Sequence, residues 1–175
     1  MKRKILTGAI VFFTVLGFAF GKEKILHAET QYFDIIFDES TRESAQELYG
    51  CADDVLEELC LQFKVKPNFK IPVVLTSKTE IFNAYFTNYN YNHIVIYDSI
   101  PQENMMVFSK SVKSTFTHEL THLVSINSKN GFWRNFGKIF GDIYNPGCYI
   151  TMTSFFKEGA SVYQESKNGE GRLKD

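Results

Sequence analysis

The sequence predicts an α+β domain, with a small sheet packed against a long helix that carries two histidines. Three observations predict it. Residues 31–37 form a short aromatic and β-branched run, and residues 70–75 and 93–97 form two more. Apolar residues recur at helical spacing from about Arg42 to Phe63. A second helical stretch, about residues 105–126, contains His118-Glu119-Leu120-Thr121-His122. Strands and helices arranged in this order place the sheet on one side and the motif helix against it.

Taken in order, Gln31-Tyr32-Phe33-Asp34-Ile35-Ile36-Phe37 reads as the first strand. Ser40 and Thr41 offer an N-cap, and Ala45, Leu48, Ala52, Val55, Leu56 and Leu59 mark the buried stripe of the helix that follows. Pro67 stops any continuation. Lys70 to Leu75 is the second strand, and Pro72 within it suggests a sheet edge or a strand start. Residues 82–93 are rich in Asn and Tyr and read as a hairpin or loop, since Asn favours turns. The strand His93 to Tyr97 follows, then a connection at 98–104 containing Pro101, then the motif helix. Residues 127–150, with their glycines and Pro146, read as a connection holding a short helix at about 133–140. The last helix is expected over about 153–166, and the tail from Lys167 is polar.

The first 21 residues stand apart from this domain. Lys2, Arg3 and Lys4 precede an apolar stretch from Ile5 to Phe20, and Ala19-Phe20-Gly21 supplies small residues at the positions a signal peptidase reads. That is the pattern of a secretory signal, with an uncleaved membrane anchor as the alternative. The expected division is thus a signal at 1–21 and a domain at 22–175, exported to the periplasm or the medium. Removing residues 1–21 takes away those three basic side chains and leaves 16 basic against 20 acidic residues, a net charge of −4. Such a chain lacks the clustered basic residues of a nucleic-acid-binding surface. Of the three cysteines, Cys51 and Cys60 lie nine positions apart on one helix and face opposite sides, so they are not expected to pair; Cys148 could bridge to either. None has zinc-ligand spacing.

The chemistry is carried by the histidine motif. Four residues advance a helix by about 6 Å and 400°, so His118 and His122 project from nearly the same face, one turn apart. Two imidazoles so placed converge on one zinc ion. Glu119, rotated by about 100°, cannot easily join them but can reach a water beside that ion as a general base. A catalytic zinc needs a third protein ligand and one open position. Only four histidines occur, and His27 and His93 lie upstream, isolated, in or near strands. Glu158 is the best third ligand. It sits in Phe155-Phe156-Lys157-Glu158-Gly159-Ala160-Ser161-Val162-Tyr163-Gln164-Glu165, where the apolar pair and Gly159 suggest a helix packed closely on another. Glu165, seven residues on, shares the Glu158 face and is placed to orient a ligating ring.

His118-Glu-Leu-Thr-His122 followed after 35 residues by Glu158-Gly-Ala-Ser-Val-Tyr-Gln-Glu165 resembles the gluzincin metallopeptidases of the peptidase MA-like group. Members carry a His-Glu-x-x-His helix and then an aromatic-x-Glu-Gly-x-Ala-x-Tyr-x-Glu helix. Phe156, Glu158, Gly159, Tyr163 and Glu165 match, and Ser161 stands where Ala is usual. Residues 136–141 and the strands at 33–37 and 71–75 are also similar. The resemblance implies a zincin-like fold, one zinc per chain, and hydrolysis of a peptide or protein substrate with Glu119 as base. It also implies a donor to the reacting carbonyl, for which Tyr163, Tyr149 and Tyr144 are candidates, and substrate pairing with an edge strand, read here as Ile94 to Tyr97. In resembling exported bacterial proteins a long C-terminal part follows, often a β-propeller. Here the chain ends about ten residues after the second motif, so a C-terminally incomplete domain is expected. The rival expectation is an exported module that keeps zinc for binding or scaffolding and hydrolyses nothing.

Overall fold

The computed structural model describes residues 24–66, 70–79, 81–87, 91–99, 111–128 and 153–167. The expected signal at 1–21, the short helix at about 133–140, Pro67, Pro101, Cys148, Tyr144 and Tyr149 lie outside the described residues. The elements are β1 (Leu26–Glu29), β2 (Phe33–Phe37), a 3₁₀ turn (Glu39–Thr41), α1 (Arg42–Phe63), β3 (Ile71–Thr76), β4 (Asn83–Thr87), β5 (His93–Tyr97), α2 (Val112–Asn127) and α3 (Ser154–Ser166). The architecture is α+β, with one five-stranded sheet and three α-helices among the described residues. None of those helices is long and apolar enough to cross a membrane.

The sheet order is β1-β2-β3-β5-β4. The pairs β2/β3 and β3/β5 are parallel, while β1/β2 and β4/β5 are antiparallel. Parallel neighbours need a crossover, and α1 supplies it between β2 and β3. Alternation then decides the faces. Phe33 and Ile35 of β2, Ile71, Val73 and Leu75 of β3, and Ile94 and Ile96 of β5 are buried. They form one cluster with Leu48, Ala52, Leu56 and Leu59 of α1 and Phe116, Leu120, Leu123 and Val124 of α2. Phe33 and Phe116 meet edge to face, with ring centroids 5.3 Å apart. The motif helix is therefore seated in the core, and its orientation is set by packing rather than by propensity.

α1 has the span that its periodicity predicts, and Thr41 stands at its N-cap position, though its side chain makes no cap hydrogen bond there. Asp38, not Ser40 or Thr41, caps the 3₁₀ turn that leads into it: its carboxylate accepts from the Ser40 N–H, and Thr41 Oγ1 accepts from the Asp38 N–H. The helix ends at Lys64, which takes a left-handed conformation (φ 54°) and donates its N–H back to the Cys60 carbonyl. Asp53 ties α1 to the β1–β2 turn by accepting from Thr30 Oγ1 at 2.7 Å, the Gln31 N–H at 3.0 Å and the Tyr32 N–H at 3.2 Å. Cys51 and Cys60 do not form a disulfide, as their opposed faces require.

Two readings that left alternatives open are decided, for Pro72 as a strand start and for residues 82–93 as a hairpin, and one expectation, the edge position of residues 94–97, is corrected. Pro72 does not mark an edge, because β3 is the central strand; it is the second residue of that strand, where the loss of one ladder N–H is tolerated. The Asn/Tyr-rich stretch contains a real strand, β4, in register with β5 from Asn83↔Tyr97 to Thr87↔His93. Consequently β5 is not an edge strand: it lies between β3 and β4, and among the described residues β4 is the edge. A further strand, β1, precedes β2. Within the described residues α2 begins at Val112, capped by Ser111, whose hydroxyl accepts from the Ser114 N–H.

Because Phe116 is fully buried against Phe33, truncating it opens a cavity under the motif helix. Phe116→Ala is expected to lower stability by about 3–5 kcal/mol in urea denaturation; a loss below about 1 kcal/mol would contradict this packing.

Candidate metal centre

The histidines of α2 turn toward α3. His118 Nε2 and His122 Nε2 lie 3.2 Å apart. Glu158 of α3 approaches both, with Oε2 3.4 Å from His118 Nε2 and Oε1 3.7 Å from His122 Nε2. One ligand atom from each of the three falls within 4.8 Å of the others, so they form a group that can hold a metal ion. A tetrahedral ion with bonds of about 2.0–2.1 Å keeps its ligand atoms about 3.3–3.4 Å apart. The His118–His122 separation of 3.2 Å and the 3.4 Å from His118 Nε2 to Glu158 Oε2 lie close to that value, while His122 Nε2 meets the other Glu158 oxygen, at 3.7 Å. The histidines are buried (6% and 8% exposed), whereas the Glu158 side chain is open to solvent. The triangle is therefore walled by protein on one side and reachable from the other.

Protonation fits the same role. Glu165, also buried, places Oε2 2.9 Å from His118 Nδ1. A carboxylate there accepts, so the His118 proton belongs on Nδ1 and the Nε2 lone pair points into the triangle. His122 is held neutral: burial, with the charge of His118 second and Lys157 adding to it, brings its pKa down to about 4 against the opposing pull of Glu158. The two Nε2 atoms, 3.2 Å apart, stand within hydrogen-bond distance of one another.

Glu119 sits on the flank of this pair. Its Oε2 accepts from the Phe86 N–H of β4 at 2.8 Å. That bond fixes the parity of the edge strand. A Phe86 N–H aimed at Glu119 is not in the ladder with Ile94, so Phe86↔Ile94 is a non-hydrogen-bonded pair, and Ala84↔Ile96, two residues on, is another. The main-chain groups of Ala84 and Phe86 thus face away from β5. Independently, the Ala84 N–H is taken by its neighbour's side chain, Asn83 Oδ1, at 2.9 Å.

The structure brings together His118, His122, Glu158 and Glu165, with Glu119 alongside, and leaves Tyr163 outside. Tyr163 is 58% exposed, and its five-residue offset from Glu158 turns it away from the face that Glu158, Ser161 and Glu165 share. Gly159 is not a point of close approach, since a Cβ built on it meets nothing within 4 Å. Phe155 and Phe156 are exposed and do not hold α3 in place. The close residue is Ser161, fully buried one turn after Glu158. α3 is secured further by Gln164 to Gln62 and Lys167 to Glu58 of α1. The Phe86 donor was not legible in the sequence, because a backbone N–H has no side-chain signature. Tyr85-Phe86-Thr87, three β-formers in a row, was the signal that could have located the strand bearing it.

Two outcomes follow for the metal-free protein and its loading. The folded His122 resists a proton that the unfolded chain binds below its ordinary value of 6.5. Stability is thus fully present above about pH 6.5 and is lost as pH falls through about 4, with a slope of up to about 1.4 kcal/mol per pH unit. In urea denaturation from pH 7 to 4, His122→Asn should flatten that slope, and an unchanged slope would contradict the assignment. Glu165→Ala frees the His118 ring and should weaken metal binding about 10–100-fold in chelator competition.

No family model matches the sequence, and no solved structure matches it. The chain is 33% identical over 150 residues, 83% of its length, to an uncharacterized protein of Treponema pallidum (strain Nichols). Those residues make up 13% of that protein, so the chain is similar to a small part of a much longer relative.

Proposed function

We propose that this chain is an exported zinc-dependent peptidase domain of the gluzincin type, with a zincin-like fold. The observation that carries the reading is the group of His118, His122 and Glu158, whose ligand atoms lie within 4.8 Å of one another, with Glu119 next to His118 on the same helix. Two imidazole nitrogens and one carboxylate oxygen are a ligand set that suits zinc with a fourth position open. When bound there, zinc supplies an activated water and polarises a substrate carbonyl.

The chain's own residues do the rest. Glu119 takes a proton from the attacking water and hands it to the leaving amine. Glu165 holds the His118 ring in the tautomer that a ligand needs. The outward main-chain groups of Ala84 and Phe86 receive an extended peptide alongside β4, which brings its carbonyls past the triangle. β4 thus takes the part first assigned to residues 94–97. Export rests on Lys2, Arg3, Lys4 and the apolar stretch from Ile5 to Phe20.

Metal analysis and turnover test the reading together. Wild type should carry about one zinc per chain, and Glu158→Gln, His118→Ala and His122→Ala should lose it. Glu119→Gln should keep zinc and hydrolyse casein at least about 100-fold more slowly. Wild type with zinc but without turnover on casein or a broad peptide library would instead favour a binding or scaffold module; wild type without zinc would sink both.

A further inference from the structure

An edge strand offers its outward N–H and C=O groups to any extended chain, and folded proteins commonly blunt such edges. β4 is blunted in an uneven way. Its two outward N–H groups are both held by side chains, Ala84 by Asn83 Oδ1 and Phe86 by Glu119 Oε2. The carbonyls of the same two residues point outward by the same pairing parity. A strand added to this edge can therefore donate to β4 at once. It can accept from Phe86 only by taking the N–H away from Glu119.

We infer that the Phe86 N–H is a shared donor, held by Glu119 in the empty protein and surrendered to a carbonyl of the extended polypeptide that pairs with β4. The inference rests on the proposed function for the identity of the occupant and of the base, but the exchange itself needs no metal. Peptide docking and loss of the Phe86–Glu119 hydrogen bond then become one event. Without an extended chain on the edge, the carboxylate keeps the Phe86 N–H; with one, it gives that donor up. Phe86 acts through its main chain as a positioning residue, and its side chain, packed against the core cluster, keeps β4 in register.

Linkage makes the exchange measurable as binding. A hydrogen bond to a charged acceptor changes an equilibrium by about tenfold or more. Removing the acceptor should therefore strengthen peptide binding, since nothing then competes for the donor. Glu119→Ala removes it; Glu119→Gln removes the charge but leaves an amide oxygen that still accepts. The probe is fluorescein-labelled casein, a chain without fixed structure, titrated by anisotropy in EDTA so that no metal-dependent hydrolysis intervenes. The affinity should rise from wild type to Glu119→Gln to Glu119→Ala, with the last at least about tenfold above wild type. Amide hydrogen exchange at Phe86 gives the second readout. Protection should be present in wild type, fall about tenfold or more in Glu119→Ala, and return when casein is added.

Equal gains in Glu119→Gln and Glu119→Ala would mean relief of charge repulsion rather than release of a donor, and would overturn the inference. So would Phe86 protection that is indifferent to Glu119→Ala, or casein that binds none of the three proteins. Failure of the peptidase reading is separable: it appears as missing zinc or missing turnover while the ranking of casein affinities still holds.

Discussion

Two imidazole nitrogens 3.2 Å apart, both on buried rings, are the constraint on which the rest of this molecule turns. If both present lone pairs they repel; if either ring is charged, burial makes the charge costly; a proton donated by one neutral ring to the other, or a shared cation, satisfies both. A shared cation relieves the first conflict without creating the second. The surroundings are arranged accordingly: Glu165 draws one proton to the far side of His118, burial keeps His122 neutral, and Glu158 brings negative charge to the open side.

The fold's task is to hold three remote pieces of chain around that pair. Phe116, Leu120, Leu123 and Val124 sink α2 into the core, which fixes the direction in which His118 and His122 point. α3 lies against α2 through Ser161 and Glu165 and is tied to α1 at its end, so the approach of Glu158 is set by helix packing. From the sheet, the position of β5 between β3 and β4 carries the edge strand to Glu119. Glu119 and the His118, His122 and Glu158 group thus answer to different parts of the core, and a disturbance of either helix or edge strand reaches them by a separate route.

What was legible in the sequence was what is local. The span of α1 follows from apolar residues repeating at helical spacing, and the convergence of His118 and His122 follows from a four-residue step on a helix. Even the contact of Glu165 with the His118 ring follows from its seven-residue offset from Glu158, once Glu158 is placed. Strand order was not legible, because the position of β5 inside the sheet is decided by pairing between segments far apart in the chain. Asn-rich surroundings hid β4, since turn-favouring residues flank its few β-formers. Gly159 misled for a physical reason: small size permits close approach but does not demand it, and the buried small residue proved to be Ser161. The conformation at Lys64 also left no trace, as glycine or asparagine is the usual occupant of a left-handed helix end.

The central claim is that two rings and one carboxylate close around a single ion. X-ray absorption at the zinc edge of the wild-type protein tests it most directly, because scattering reports the ligand atoms themselves. The account predicts four nitrogen or oxygen ligands at about 2.0 Å with the outer-shell signature of two imidazoles. Sulfur at about 2.3 Å, or a sphere lacking the imidazole signature, would contradict it.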